Sequence, residues 1–160
     1  MEDKTRAAME GYVEAYTKNE KNLFIELWDS NAVFEDPVGS DPCKGIEAIG
    51  NFWDFAHAEG MTITPSDVSY VVCGNEGILK AIMKVRNESN GTSMDISIVD
   101  HFVINDSGKI ISGRAFWDQQ KSSSWTMSLN LRRFVNHYLS LSLLRDQMFY
   151  FLIFRKRREK

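Results

Sequence analysis

Two carboxylic acids and a phenol stand where the residue pattern calls for apolar side chains. The segment Met94-Asp95-Ile96-Ser97-Ile98-Val99-Asp100-His101-Phe102-Val103-Ile104 has the strict alternation of a β-strand. Its even positions are Met94, Ile96, Ile98, Asp100, Phe102 and Ile104, and Asp100 alone among them is an acid. Its odd positions include Asp95, Ser97 and His101. Asp100 therefore shares the hydrophobic face of the strand. Burial disfavours the ionised form, so such an acid tends to stay protonated, and a protonated acid donates a hydrogen bond. Asp36 lies on the apolar face of a shorter run, with Ala32 and Phe34, and Pro37 follows it. The residue before a proline is pushed to extended geometry, which places Asp36 at the strand's end beside a loop. Tyr12 lies on the apolar stripe of a helix with Ala8, Ala15 and Tyr16. An ionised carboxylate can accept a proton, whereas a neutral acid and a phenol can donate hydrogen bonds. Each residue also has a plainer reading. Asp100 can be a buried acid satisfied by backbone groups or an arginine, Asp36 a turn residue, and Tyr12 a core residue with its hydroxyl at the rim.

The elements that would position these groups follow from periodicity. A helix is expected over about residues 2–19, and a second, short one carries Leu23, Phe24 and Leu27 and ends near Trp28–Asn31. A short strand covers Ala32–Asp36, and Pro37–Pro42 is a loop. A third helix spans about residues 45–58, with Ile46, Ile49, Phe52, Trp53 and Ala56 inward. From Met61 the period changes from 3.6 to 2, with strands near 62–73, 77–87, 93–104 and 109–118. Glu88–Gly91 and Asn105–Gly108 have the composition of hairpin turns. Helices followed by a run of strands indicate an α+β fold in which a bent sheet wraps the long helix around a conical hollow.

Composition limits the function. The chain has 160 residues and a formal net charge of −3, so the body offers no basic face for nucleic acid. Positive charge collects at Arg155–Arg158. Cys43 and Cys73 make no metal or disulfide spacing, and His57, His101 and His137 show no ligand pattern. The charged start Met1–Lys4 has no apolar signal, which favours the cytoplasm. Residues 1–121 are expected to form the folded domain and 122–160 an apolar, helical C-terminal extension with a basic end. Phe134–Phe154 is rich in Leu, Phe and Tyr, yet carries Arg145 and Asp146 mid-segment, so a membrane anchor there is disfavoured.

Two motifs resemble the bacterial ketosteroid isomerases of the NTF2-like and SnoaL-like superfamily. Glu35-Asp36-Pro37-Val38-Gly39-Ser40-Asp41-Pro42 resembles the loop around their catalytic base, and Val99-Asp100-His101-Phe102 the strand of their protonated aspartate. Tyr12 falls where the family has an oxyanion-hole tyrosine, and Ala115-Phe116-Trp117 resembles its last strand. The likeness covers about residues 8–119.

It implies an NTF2-like cone with three N-terminal helices in a curved antiparallel or mixed sheet around an apolar pocket. The implied activity is isomerisation of an apolar, steroid-like ketone. Asp36 would be the base, and Tyr12 with protonated Asp100 the oxyanion donors. Phe34, Val38, Phe52, Trp53, Ile98, Phe102, Ala115 and Trp117 would line the pocket. A homodimer through the outer face of the sheet and no cofactor are implied. A SnoaL-like cyclase or dehydratase, or a non-catalytic binding module, would share the fold. Trp28 and Trp53 fall where some members place tyrosines behind the catalytic one. An indole donates but does not accept, so that tyrosine chain is not expected here.

Overall fold

A computed structural model describes residues 1–89 and 91–118 of the chain. The expected extension over 122–160, including Phe134–Phe154, lies outside the described residues. Among the described residues no helix is long and apolar enough to cross a membrane.

Helix α1 (Glu2–Lys18) buries Ala8, Met9, Tyr12, Ala15 and Tyr16 on one stripe. It ends because Asn19 turns into the left-handed region at φ 51°. The amide of Asn19 bonds Tyr16 O at 3.2 Å and that of Glu20 bonds Ala15 O at 3.0 Å. These two contacts have the form of a Schellman motif, with asparagine at its left-handed position. The Asn19 side chain then accepts the Ile63 amide at 2.8 Å, fastening the helix end to the start of a strand. Helix α2 (Lys21–Glu26) contributes the fully buried Phe24, and α3 (Gly45–Ala56) contributes Ile49 and Trp53.

The strands are β1 (Trp28–Glu35), β2 (Cys43–Lys44), β3 (Thr62–Cys73), β4 (Glu76–Asn87), β5 (Thr92–Ile104) and β6 (Ile110–Phe116). They form one mixed sheet in the order β2-β1-β6-β5-β4-β3. All pairs are antiparallel except β1 with β6, which run the same way. This is the α+β architecture that the residue pattern indicates. Two local expectations are corrected. Trp28–Asn31 belongs to β1 and not to the end of the second helix, and the two-residue β2 closes the loop after Pro42. The polar Asp29-Ser30-Asn31 disguises the start of β1. The register of β1 against β6 shifts between Trp28 and Val33, where strict alternation is lost. At the other end of the sheet, the Asn105 side chain accepts the amides of Ser107 and Lys109 at 3.0 Å, closing the turn between β5 and β6.

Two glycines set the depth of the core. Gly77 and Gly113 are the cross-strand neighbours of Phe102 on either side. A Cβ on Gly77 would lie 2.6 Å from the end of Met9, and one on Gly113 would lie 2.7 Å from Cη2 of Trp28 and 3.0 Å from Cδ2 of Phe34. The missing side chains let α1 and the β1 aromatics settle onto the sheet. Gly113→Ala is expected to destabilise the fold by about 1–3 kcal/mol, as overpacking of a filled core does, measurable as a lower midpoint in urea.

Candidate active site

The alternation in β5 survives in the structure: Ile98, Asp100, Phe102 and Ile104 are buried. Asp100 is 1 % exposed and lies between Leu79 of β4 and Ala115 of β6. Among the described residues neither of its carboxyl oxygens has a hydrogen-bond partner, and both are buried. The plainer reading of Asp100, an acid satisfied by backbone groups or an arginine, therefore does not describe this site. Its pKa is pushed well above the ordinary carboxylate value, first by burial and then by the negative charge of Asp36. Both effects favour the uncharged acid, which has a proton to donate.

Asp36 follows the last residue of β1. The parallel pairing of β1 and β6 sends both strands toward the same edge, with Glu35 opposite Arg114. Trp117, just past β6, reaches back across that edge, and its indole N–H donates to Asp36 Oδ1 at 2.7 Å. The loop after Asp36 is fastened at several points. Glu35 accepts the Gly39 amide at 2.7 Å and the Arg114 guanidinium at 2.9 Å, and the Val38 amide bonds Ala115 O at 2.8 Å. The Asp36–Pro37 peptide is cis. Burial raises the Asp36 carboxyl to about 6, while the Trp117 hydrogen bond pulls it down. Trp117→Phe removes that donor and keeps a ring. The Asp36 carboxyl is then expected to titrate above about 6, which a carboxyl-carbon NMR titration reads directly.

Tyr12 is 2 % exposed and packs on Phe102, two residues along the same strand face from Asp100, with ring centroids 5.0 Å apart. Its pKa is raised by burial first, and then by Tyr16, Asp100 and Asp36. Asp36, Asp100 and Tyr12 come from a strand end, a strand middle and a helix, and the charge of Asp36 bears on both of the others. Asp36 is thus within electrostatic reach of both Tyr12 and Asp100.

The expected lining residues are divided among three places. Phe34, Phe102, Trp53, Ile98 and Ala115 are buried in the core. Phe52 is half-buried, its ring edge-on to Phe34 at 5.0 Å. Val38 and Trp117 also line an open cleft of about 480 Å³ together with Pro37, Ser97, Phe116 and Asp118. Ser97 and Phe116 are exposed, so this cleft lies on the outer side of the Asp36 loop and does not reach Asp100. The core between the helices and the sheet is occupied by rings. Phe24 touches Tyr12, Tyr16, Trp28 and Trp53 at centroid distances of 5.7, 5.6, 5.6 and 4.8 Å. A ligand oxygen can therefore reach Asp100 only when side chains above it move.

Two features escaped the sequence reading. The Trp117–Asp36 bond joins residues 81 apart and depends on the parallel β1–β6 pairing. The other is Tyr16, whose buried ring packs on that of Tyr12 with centroids 5.0 Å apart. The inward stripe Tyr12-Ala15-Tyr16 was its signal. His57 and His101 serve the scaffold. Nδ1 of His57 lies 2.9 Å from Trp53 O with its ring stacked on that indole, and His101 pairs with Glu76 at 2.7 Å. His137 lies outside the described residues.

Residues 9–113 match the family model of the SnoaL-like domain. The chain belongs to the SnoaL-like family. Its NTF2-like cone is the fold of that family's solved members. A steroid Delta-isomerase from Nocardioides simplex is 26 % identical over 117 residues, covering 73 % of this chain and 92 % of that protein. Among solved structures, SalBIII is 27 % identical with a TM-score of 0.64, over 74 % of this chain and 94 % of its own. It is described as an epoxide hydrolase/cyclase-like enzyme in pyran ring formation in the polyether salinomycin. A presumed polyketide cyclase from Xanthomonas campestris pv. campestris has a TM-score of 0.67 at 12 % identity, over 75 % of this chain and 94 % of its own, a likeness of fold alone. An isomerase or cyclase activity on this SnoaL-like scaffold fits these relatives.

Proposed function

We propose that this SnoaL-like protein is an isomerase that moves a carbon–carbon double bond into conjugation with a ketone by intramolecular proton transfer. The observation that carries this reading is Asp100: a sealed acid whose two oxygens have no partner among the described residues, its charged form disfavoured by burial and by the charge of Asp36, with Tyr12 packed on Phe102 of the same strand face.

The chemistry runs in two steps. Ionised Asp36 removes a proton from the carbon between the ketone and the isolated double bond. The electron pair of that C–H bond moves toward the carbonyl oxygen, giving a dienolate. Tyr12 and Asp100 donate hydrogen bonds to that oxygen as its charge grows. Neutral Asp36 then returns the same proton two carbons further along, and the electrons shift back to leave a conjugated enone. Asp36 suits both halves, because a carboxyl titrating at about 6 is ionised at neutral pH yet holds a proton readily once it has taken one. The rings around the site favour an apolar, steroid-like ketone, with Phe34, Phe52, Trp53, Ile98, Phe102 and Ala115 as its walls and Val38 and Trp117 near its mouth.

The test is absorbance. An unconjugated 3-ketosteroid incubated with the full-length protein is expected to give the ultraviolet band of a conjugated enone at a rate proportional to enzyme. Absence of that band with folded protein removes the assignment. The 27 % identity to SalBIII supports a second reading, a cyclase that uses the same base on a polyketide-derived substrate. A ring-closed product identified by mass spectrometry, with no enone formed from the ketosteroid, would select it. A homodimer belongs to the same proposal. Val33, Val99 and Phe116 expose apolar surface on neighbouring strands, and light scattering at twice the chain mass is the expected result.

A further inference from the structure

Asp100 does not hold the only buried polar atoms without a partner. Among the described residues the indole N–H of Trp28 and Nε2 of His57 are buried and unpaired as well. Buried polar atoms in folded proteins nearly always find partners, so each orphan calls for a reason. Trp28 can only donate, and its ring packs against Phe24, Phe34 and Phe102. His57 is more telling, because its contacts fix its chemistry. It ends helix α3, and its Nδ1 lies 2.9 Å from Trp53 O. A carbonyl oxygen only accepts, so Nδ1 carries the proton of that bond. Burial lowers the His57 pKa, against the opposing pull of that bond and of the Asp54 charge, and the ring is neutral at pH 7. In this tautomer Nε2 is a bare lone pair that accepts and cannot donate. The residue is half-buried, yet Nε2 itself is shut off from solvent. The ring is held in place, stacked on Trp53 with centroids 3.9 Å apart and 5.8 Å from the ring of Tyr16. Tyr16 in turn packs on Tyr12 at 5.0 Å. A single ring therefore links His57 to the phenol that faces the ligand's carbonyl oxygen in the isomerase reading.

We propose that His57 Nε2 is a second polar contact for the ligand, accepting a hydrogen bond from a hydroxyl group, and that the substrate is an apolar ketone bearing a hydroxyl remote from its carbonyl. This deepens the isomerase reading and rests on it for the place of the carbonyl. The two ends call for opposite partners. Tyr12 and Asp100 donate, so they suit a carbonyl oxygen. Nε2 accepts, so it suits an O–H. A ligand with a ketone at one end and a hydroxyl at the other satisfies both ends in one direction only. That direction sets the carbons beside the ketone against Asp36. A second ketone in place of the hydroxyl would set one acceptor against another and leave Nε2 unpaired. Preference for the hydroxyl over both that ketone and plain hydrogen is therefore the mark of this contact. The scaffold uses only the Nδ1 side of His57, which leaves the other side for the ligand.

The experiment uses the full-length chain and a panel of conjugated 3-ketosteroids. Each carries one hydroxyl on a ring beyond the one with the ketone, and each is matched with the ketone at that position and with the parent lacking that oxygen. Binding is followed by tryptophan fluorescence. At least one hydroxylated member is expected to bind roughly threefold to tenfold more tightly than its parent and its ketone, the size of one neutral hydrogen bond. His57→Phe keeps a ring on Trp53 and is expected to abolish that preference while still binding the parent. In wild-type protein labelled with nitrogen-15 in the imidazole, the Nε2 resonance is expected to move further with the preferred member than with its parent. A panel in which no hydroxyl is preferred overturns the proposal, as does a preference that survives in His57→Phe. Where His57→Phe does not fold, the Nε2 resonance decides: equal shifts with the preferred member and its parent overturn the contact. If no member of the panel binds, the proposed ligand class is wrong. The isomerase reading is tested apart, by turnover of an unconjugated 3-ketosteroid without the hydroxyl. Turnover with no preference for a hydroxyl keeps that reading and overturns this one. A preference without turnover keeps the His57 contact and removes the isomerase.

Discussion

Asp36→Asn is expected to lower kcat/KM by at least roughly 10²–10⁴-fold while making the protein relatively more stable at pH 8 than at pH 4. The first half follows from the role proposed for Asp36, since an amide cannot take a proton from carbon. The second half follows from linkage. The folded Asp36 carboxyl titrates at about 6, above an ordinary aspartate near 3.9. Between those values the folded state holds a proton that the unfolded state has released. Stability contributed by this group is therefore fully present below the unfolded value and declines as pH rises toward about 6. Asparagine does not titrate and still offers an oxygen to the Trp117 indole, so it escapes that decline. Melting temperatures of the two proteins from pH 4 to pH 8 should diverge in the variant's favour up to about 6 and then run parallel. The same titration gives the wild-type kcat/KM an acid limb that rises through about pH 6. A group that raises catalysis while lowering stability is one that packing alone would not retain.

The sequence carries the cone and the three polar groups because both rest on local periodicity. Alternation in β5 places Asp100 inward, the proline after Asp36 fixes a strand end, and the stripe on α1 turns Tyr12 inward. Each of these needs only residues within a few positions of one another. What the sequence does not carry is long-range. Trp117 becomes a partner of Asp36 only because β6 pairs parallel to β1, and the antiparallel strands before β6 give no hint of that direction. The start of β1 was hidden because Asp29, Ser30 and Asn31 sit where its pairing with β6 slips. Tyr16 was visible as an inward residue, yet inward tyrosines on a helix are usually core. The filling of the core by Phe24, Trp28 and Trp53 likewise depends on three separate elements and on the glycines opposite them.

Asp100 separates a functional acid from a structural one most sharply. A buried carboxyl that holds the fold together has partners, and removing it leaves them unpaired at a cost of roughly 1–3 kcal/mol or more. Asp100 has none to leave, because both its oxygens are orphaned. Asp100→Ala is therefore expected to change stability little at low pH. The folded acid stays protonated far above the pH at which the unfolded one ionises near 3.9. Wild-type stability accordingly falls with pH by up to about 1.4 kcal/mol per unit from this group, while the variant is spared that slope. The gain should grow as pH rises above the unfolded value, and urea midpoints from pH 4 to pH 8 would display it. Activity should move the opposite way. Loss of one oxyanion donor costs roughly 10²–10³-fold in kcat, and Asp100→Asn, whose amide still donates, should fall between alanine and wild type. A strongly destabilised Asp100→Ala protein at pH 4, or one with undiminished turnover, would make Asp100 a structural acid. A protein that grows more stable as it loses its chemistry would show that the unpaired acid is kept for the oxygen it waits to bind.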